Sequence, residues 1–377
     1  MRIDVKAAKP EIPVLSFFSG AGFLDIGFMQ AGFKTVWSNE YDRNFVKGFE
    51  YGLSSMTGQH HKIINNTSII GIGPNQIMRE AFLNTAVPDI FGIIGGPPCP
   101  DFSIGGKNKG RTGENGVLSK IYVDKIMDLQ PTFFLFENVK GLFKTARHRE
   151  FFDDLRKQFS EHYLTDVRIL NALDFGVPQD RERVFMVGLK KKWLKRKLGV
   201  RNIPKDYEWF QWPEDERFAG AKQRFAWPRE VPFGITPEKP GDIPEQLMVG
   251  PFICDLDETA RLPNGLEGLR PLSDKYHIIH EGDVSRKSFK RLHRWRYSPT
   301  AAYGHNEVHL HPTQPRRLTV REALRIQSVP DTYILPAEMP ITYKFKTISN
   351  GVPVKLAHAM AVAIRRMIEE ELYDANS

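Results

Sequence analysis

The stretch Asp89-Ile90-Phe91-Gly92-Ile93-Ile94-Gly95-Gly96-Pro97-Pro98-Cys99-Pro100-Asp101-Phe102-Ser103 decides how the chain is read. Ile90 to Ile94 is a short apolar run with β-branched residues, bounded by Pro88 on one side and two glycines on the other, which predicts a buried strand. Cys99 stands just beyond the carboxyl end of that strand, and in open α/β sheets this edge is where ligands bind. Free cysteines are mostly small packing residues. A packing residue has no use for a stiff Gly-Gly-Pro-Pro approach, or for the polar and basic sequel Ser103, Lys107, Lys109 and Arg111, whereas a thiolate gains from positive surroundings. Cys99 therefore reads as a nucleophile.

Working outward, Val14 to Phe18 predicts a first strand, followed by Ser19-Gly20-Ala21-Gly22 and a helix ending near Gly32. Strand, glycine turn and helix make a nucleotide-type pocket, because glycine lets the backbone approach a ligand closely. Asp25 stands where a third glycine would complete the dinucleotide fingerprint, and no phosphate loop occurs, so a ligand without phosphate fits better. Glu40 follows a second strand, Lys34 to Asn39, at the spacing where an acidic side chain meets ribose hydroxyls. On the other side of Cys99, residues 104–116 read as a glycine-rich loop suited to a lid, and Val117 to Leu129 as a helix. Thr132 to Phe136 is a further buried strand, and Glu137 at its end is placed for acid catalysis on the edge that carries Cys99. Before the apolar strand Val184 to Gly188, alternation puts Gln179, Arg181 and Arg183 on one face. That face belongs either to a site or to the charged solvent side of an edge strand.

Composition bounds the partners. The 377 residues (43.2 kDa) are 41% hydrophobic and 26% charged, as in a soluble globular protein of two domains or one with a large insertion. A net charge of +8 and a pI near 9.3 favour a polyanionic partner. Two cysteines, Cys99 and Cys254, are too few for a disulfide framework, and neither a signal-peptide core nor a membrane span is evident, so a cytoplasmic, reducing compartment is expected. From Lys190 the βα alternation stops. Residues 190 to about 300 are rich in Pro, Trp and basic side chains, with Lys190-Lys191-Lys192, Lys195-Arg196-Lys197 and the run Ser285 to Tyr297, which holds Lys287, Lys290 and Arg291. Basic clusters interleaved with aromatics suit a nucleic-acid surface. His305, His309 and His311 lack a ligand-spaced partner set, so no metal is expected. Thr319-Val320-Arg321-Glu322 is a capping box opening a helix to Gln327, and Leu356, Met360, Ala363 and Met367 give a last helix an apolar face that should pack back on the first sheet.

Six motifs in order, Phe18-Ser19-Gly20-Ala21-Gly22, Pro97-Pro98-Cys99, Glu137-Asn138-Val139, Gln179-Asp180-Arg181-Glu182-Arg183, Arg317-Leu318-Thr319-Val320-Arg321-Glu322 and Asn350-Gly351-Val352, span almost the whole chain. In these the sequence resembles a DNA cytosine-5 methyltransferase of the bacterial restriction-modification type. The resemblance implies an α/β fold: a Rossmann-like, S-adenosylmethionine-dependent methyltransferase sheet domain (1–189, completed by 335–377) with a smaller, irregular target-recognition domain (190–334). It implies catalysis by Cys99, Glu137, Arg181 and Arg183, with Cys99 adding to carbon 6 of a flipped-out cytosine, Glu137 at N3 and Arg183 at O2. Phe18 would stack on the cofactor adenine and Glu40 hold its ribose, with Gly20, Gly22, Tyr41, Pro97, Leu118, Asn350 and Val352 completing the pocket, and S-adenosylhomocysteine would leave as product. DNA contacts would come from Ser103, Lys107, Arg111, Gln179, Lys287, Lys290 and Arg291. The implied partner is double-stranded DNA, read by a monomer associated with the bacterial nucleoid, beside a separately acting restriction endonuclease. A tRNA cytosine methyltransferase and a non-catalytic DNA-binding regulator are the alternatives; the large basic insertion favours DNA, and intact Cys99, Glu137 and Arg183 favour catalysis. Two departures stand out. Pro100 replaces the family's usual Gln after the Pro-Cys pair, and the acidic residue that binds the adenine amino group is missing near Asn65-Asn66-Thr67-Ser68.

Overall fold

The computed structural model describes residues 10–83, 85–98, 114–269, 274–286, 288–301, 303 and 308–373. Cys99, Pro100, Ser103, Lys107, Arg111, Lys287 and His305 lie outside the described residues. Six strands form the main sheet: β1 (Ile12–Phe17), β2 (Phe33–Asn39), β3 (Gly92–Gly95), β4 (Phe133–Val139), β5 (Tyr163–Asn171) and β6 (Glu182–Lys190). Helices α1 (Phe23–Gln30), α2 (Arg43–Thr57), α3 (Pro74–Ala81), α4 (Glu114–Leu129), α5 (Gly141–Lys144), α6 (Ala146–Phe159) and α7 (Lys191–Leu198) are interleaved with them. The order is β2-β1-β3-β4-β6-β5, parallel throughout except for β6, which runs against both its neighbours. The chain steps outward from β1 to β2 and then returns to the other side of β1 as β3. The crevice between the carboxyl ends of β1 and β3 is thus the point where the winding reverses.

Strands with helices on both faces need no polar side, and their sequences show it. Phe133, Phe134, Leu135 and Phe136 of β4 are all fully buried, roughly 1.5–3 kcal/mol of transfer free energy each. Alternate residues feed two core layers: Phe133 and Leu135 meet α1 and α7, while Phe134 and Phe136 meet α4 and α6. The pairing also corrects two boundaries. β3 starts at Gly92 rather than Ile90, and β4 runs on to Val139 because β6 continues to pair with it, Glu137 opposite Phe185 and Val139 opposite Arg183. Glu137 is held in a ladder instead of hanging from a strand end. β6 lies between β4 and β5, which removes the edge-strand reading of Gln179, Arg181 and Arg183; all three side chains are buried.

The second half of the chain adds α8 (Ala221–Arg224), α9 (Gly250–Ile253), α10 (Leu256–Arg261), β7 (Lys290–Arg291), β8 (His309–Leu310), α11 (Val320–Ile326), α12 (Ile341–Asn350) and α13 (Val354–Tyr373). The capping box is formed, with Thr319 and Glu322 each accepting from the other's backbone N–H at the start of α11. α13 lays Leu356, Met360, Ala363 and Met367 into the sheet's core beside α1, as the apolar spacing requires. Gly27 permits the crossing, since a Cβ there would fall 2.5 Å from that of Ala357. Core packing also runs across positions 190 and 334. Trp193, Leu194 and Phe210 share the sheet's core, and Val320, Leu324 and Tyr333 pack with Ala21, Phe23 and Phe49.

Candidate active site

β3 and β4 are parallel neighbours, Gly95 beside Phe136, so the segment leading to Cys99 and the Glu137 carboxylate leave the sheet at one edge. They touch at Gly96, where a Cβ would fall 2.5 Å from Glu137 Oε2, so only glycine leaves the carboxylate in place. Asn138 Nδ2 donates to the Pro97 carbonyl at 3.1 Å and ties the Gly-Gly-Pro-Pro turn to β4. The motif order alone does not reveal that role. Arg183, arriving antiparallel on β6, places Nε 3.0 Å from Glu137 Oε1. Burial pushes the Glu137 carboxyl up, Arg183 and Arg181 pull it down, and burial prevails, so this acid holds its proton to higher pH than an ordinary glutamate. A buried carboxyl whose pKa is raised, set beside a guanidinium, can share a proton with a ring nitrogen while the guanidinium donates to a neighbouring oxygen.

Arg181 does something else. It is fully buried, and its guanidinium donates to the carbonyls of Ala301 (3.3 Å), Ser349 (2.5 Å) and Gly351 (2.9 Å). Through these bonds Arg181 braces the segment before β6 against two distant turns, while its charge also lowers the Glu137 carboxyl. Gln179 is likewise buried, with Oε1 accepting from the Ala301 N–H. Arg291 sits in a different setting from the one its basic run suggests. It has no exposed surface, donates to the carbonyls of Ile279, His311, Gln314 and Tyr276, and lies 4.0 Å from the Phe233 ring, so it holds no phosphate. Lys290 beside it is half-buried in β7. Cys254 packs among Val249, Ile253 and Leu292, and burial pushes its thiol up to about 12.

On the β1 side of the crevice, Phe18 (φ 53°), Gly20 (57°) and Gly22 (81°) all take left-handed backbone, which a phenylalanine adopts only at a cost. The turn that results aims the Gly20 N–H at Glu40 Oε2 (2.9 Å), while Glu40 Oε1 accepts from the Asp42 N–H (2.8 Å). Burial raises the Glu40 carboxyl, partly offset by these bonds. Asp25, the residue in the third-glycine place, points inward to the hydroxyls of Ser16 and Thr35 and is pushed up to about 6 by burial. Tyr41 is exposed, Leu118 half-buried against the α4 layer, Pro97 buried, Asn350 exposed at the end of α12, and Val352 buried in the core. Asn65 caps the Thr67 N–H and hydroxyl and donates to Glu80, while Asn39 Nδ2 holds the carbonyls of Asn65 and Thr67, which fixes the loop beside Glu40. Asn66, in the place of the missing acid, is exposed on that loop. His309 and His311 are buried, and no cluster of three metal-ligand side chains occurs among the described residues.

The sequence matches the family C-5 cytosine-specific DNA methylase over residues 12–366. The chain belongs to that family. Among its relatives are the type II methyltransferase M.NmeDI of Neisseria meningitidis serogroup C, 40% identical over 97% of this chain and 86% of that protein. M.FnuDI of Fusobacterium nucleatum is 30% identical over 95% of both. In fold, this C-5 cytosine methylase is similar to a solved structure described as a DNA modification methyltransferase encoded within an E. coli prophage (TM-score 0.64, 23% identity, 95% of this chain and 100% of that one). It is also similar to S. pombe Dnmt2 (TM-score 0.58, 13% identity, 95% and 99%). The fold is therefore the Rossmann-like methyltransferase sheet, and no described helix is long and apolar enough to cross a membrane.

Proposed function

We propose that this methylase transfers a methyl group from S-adenosylmethionine to carbon 5 of a cytosine flipped out of a specific double-stranded DNA sequence, marking host DNA against a separately acting endonuclease. The observation that carries the reading is the buried Glu137 carboxyl, paired with Arg183 at 3.0 Å and packed against Gly96 three residues before Cys99. Carbon 5 of cytosine is a poor nucleophile. Addition of the Cys99 thiolate at carbon 6 makes it enamine-like, Glu137 donates at N3, and Arg183 holds O2 as charge develops there. The residues fit the cofactor: the left-handed Phe18–Gly22 turn and the Glu40 carboxyl would cradle an adenosine without phosphate, and Tyr41, Leu118 and Asn350 would complete the pocket. When bound there, S-adenosylmethionine supplies the methyl group. A base then removes the carbon 5 proton and Cys99 is eliminated.

The recognition unit would lie within 190–334; its first residues, up to Trp212, pack with the sheet's core, and its last, Val320 to Tyr333, with the α1–α2 layer. The enzyme would act as a monomer on chromosomal DNA in the bacterial cytoplasm. Bisulfite sequencing of DNA and tRNA from cells expressing the protein, beside its Cys99→Ser variant, tests the reading. One methylated DNA sequence, lost in the variant, is expected. Methylation confined to tRNA, or variant activity within tenfold of wild type, refutes it.

A further inference from the structure

The basic run that opens at Lys190 is not on the catalytic edge. Lys190 ends β6 opposite Tyr163, whereas Arg183, second in the strand, lies opposite Val139, so seven residues of extended strand separate them, about 23 Å at ~3.3 Å per residue. That is roughly three Debye lengths at physiological salt, and charges on α7 do not act through space on a duplex lying over Glu137. Yet residues 190–205 hold eight Lys and Arg and no Asp or Glu.

Helix stability does not explain this composition. The last turn of α7 (Lys195, Arg196, Lys197) suits the negative end of the helix dipole, but Lys191 and Lys192 sit in the first turn, at the positive end. Lys191 with Lys195, and Lys192 with Arg196, are like-charge pairs one turn apart, each unfavourable to the helix. Trp193 and Leu194 anchor the other face in the core and turn the cations outward. Among the described residues the ion pair that reaches α7 is Arg196 with Asp89, a loose 3.7 Å contact between exposed groups. The face extends to α6, whose last turn carries Arg156 and Lys157; Lys191 joins the two by donating to the carbonyls of His162 and Ser160. A helix that accepts local repulsion on an outward face gains from an external anion.

We infer that α7 and the end of α6 form a second DNA-binding face, which grips the phosphates of another duplex segment while the first is engaged at the catalytic edge. The occupant follows from charge complementarity: the protein's own substrate is the polyanion it meets, with one phosphate charge per ~1.7 Å of duplex. Two faces on opposite edges of one sheet let the enzyme pass between DNA segments without full release.

The test saturates the protein with a short unlabelled duplex holding the methylated sequence plus S-adenosylhomocysteine, then follows the anisotropy of a labelled duplex lacking that sequence from 50 to 200 mM salt. Wild type is expected to bind the second duplex, and the variant Lys192→Gln, Lys195→Gln, Arg196→Gln to lose at least about tenfold at low salt. Its log–log salt slope should be flatter by up to about 0.9 per lost contact. The variant's methylation of the short duplex stays within about twofold of wild type, and its melting temperature changes little, because relief of the like-charge pairs offsets the lost last-turn cations and the exposed Arg196–Asp89 contact. No second duplex on wild type, equal binding by the variant, or parallel loss of short-duplex methylation overturns the inference; the last would place α7 on the catalytic edge. Methylation of the short duplex by wild type tests the proposed function separately.

Discussion

Replacing Arg291 with Gln separates a structural brace from a phosphate contact, the two roles that its place in a basic run allows. Burial lowers its guanidinium to about 10, which still leaves it charged at neutral pH. It donates to Ile279 O at 2.8 Å, His311 O at 2.5 Å, Gln314 O at 2.9 Å and Tyr276 O, tying together segments up to thirty-eight residues apart. Glutamine reaches at most one or two of these oxygens. An unsatisfied buried acceptor costs about 1–3 kcal/mol, and at least two of the four carbonyls would lose their donor. Taking ~4 kcal/mol, and an unfolding entropy of ~2.1 cal/mol/K per residue for a chain of this length, the melting temperature should fall by about 5 °C. The assay is thermal unfolding, run beside DNA affinity as a function of salt for the folded protein. The expected result is the lower melting temperature with an unchanged salt slope. An unchanged melting temperature with a slope flatter by ~0.9 would show that Arg291 holds a phosphate after all, and that its burial here is misread.

Gly96→Ala should cut turnover at least about tenfold with little loss of fold, because a Cβ 2.5 Å from Glu137 Oε2 displaces the carboxylate from Arg183; wild-type rates would show that this contact is idle. Glu137→Gln is expected to lower kcat by about 10²–10⁴ while calorimetry still detects S-adenosylhomocysteine binding. Since the folded pKa of Glu137 is raised, its contribution to stability is complete below the ordinary glutamate value of 4.5 and is lost as pH rises through the folded value. The Gln variant should therefore unfold with a flatter pH dependence above 4.5, and an identical profile would place the titration elsewhere. Cys254, with its thiol near 12, should resist iodoacetamide at neutral pH, and Cys254→Ala should methylate normally; label on Cys254 in the folded protein would contradict its packing role.

Much of this protein is determined by local sequence. Apolar runs of strand length closed by glycine and proline, the Thr319–Glu322 box and the stepped face of α13 depend on neighbours a few residues away, and each formed close to where its spacing put it. The order of strands placed Glu137 and the approach to Cys99 on one edge, since parallel strands in a wound sheet present their carboxyl ends together. The fates of the arginines were not legible. Gln179, Arg181 and Arg183 alternate on one face in sequence, yet Arg183 meets Glu137 while Arg181 is closed in by the carbonyls of Ala301, Ser349 and Gly351. Arg291 and Lys192 stand in equally basic runs, one wholly buried and the other on an outward face. A sequence shows that a cation must be solvated or paired. Which of the two occurs depends on whether carbonyls from segments tens to hundreds of residues away arrive around it, and only the tertiary fold brings them there.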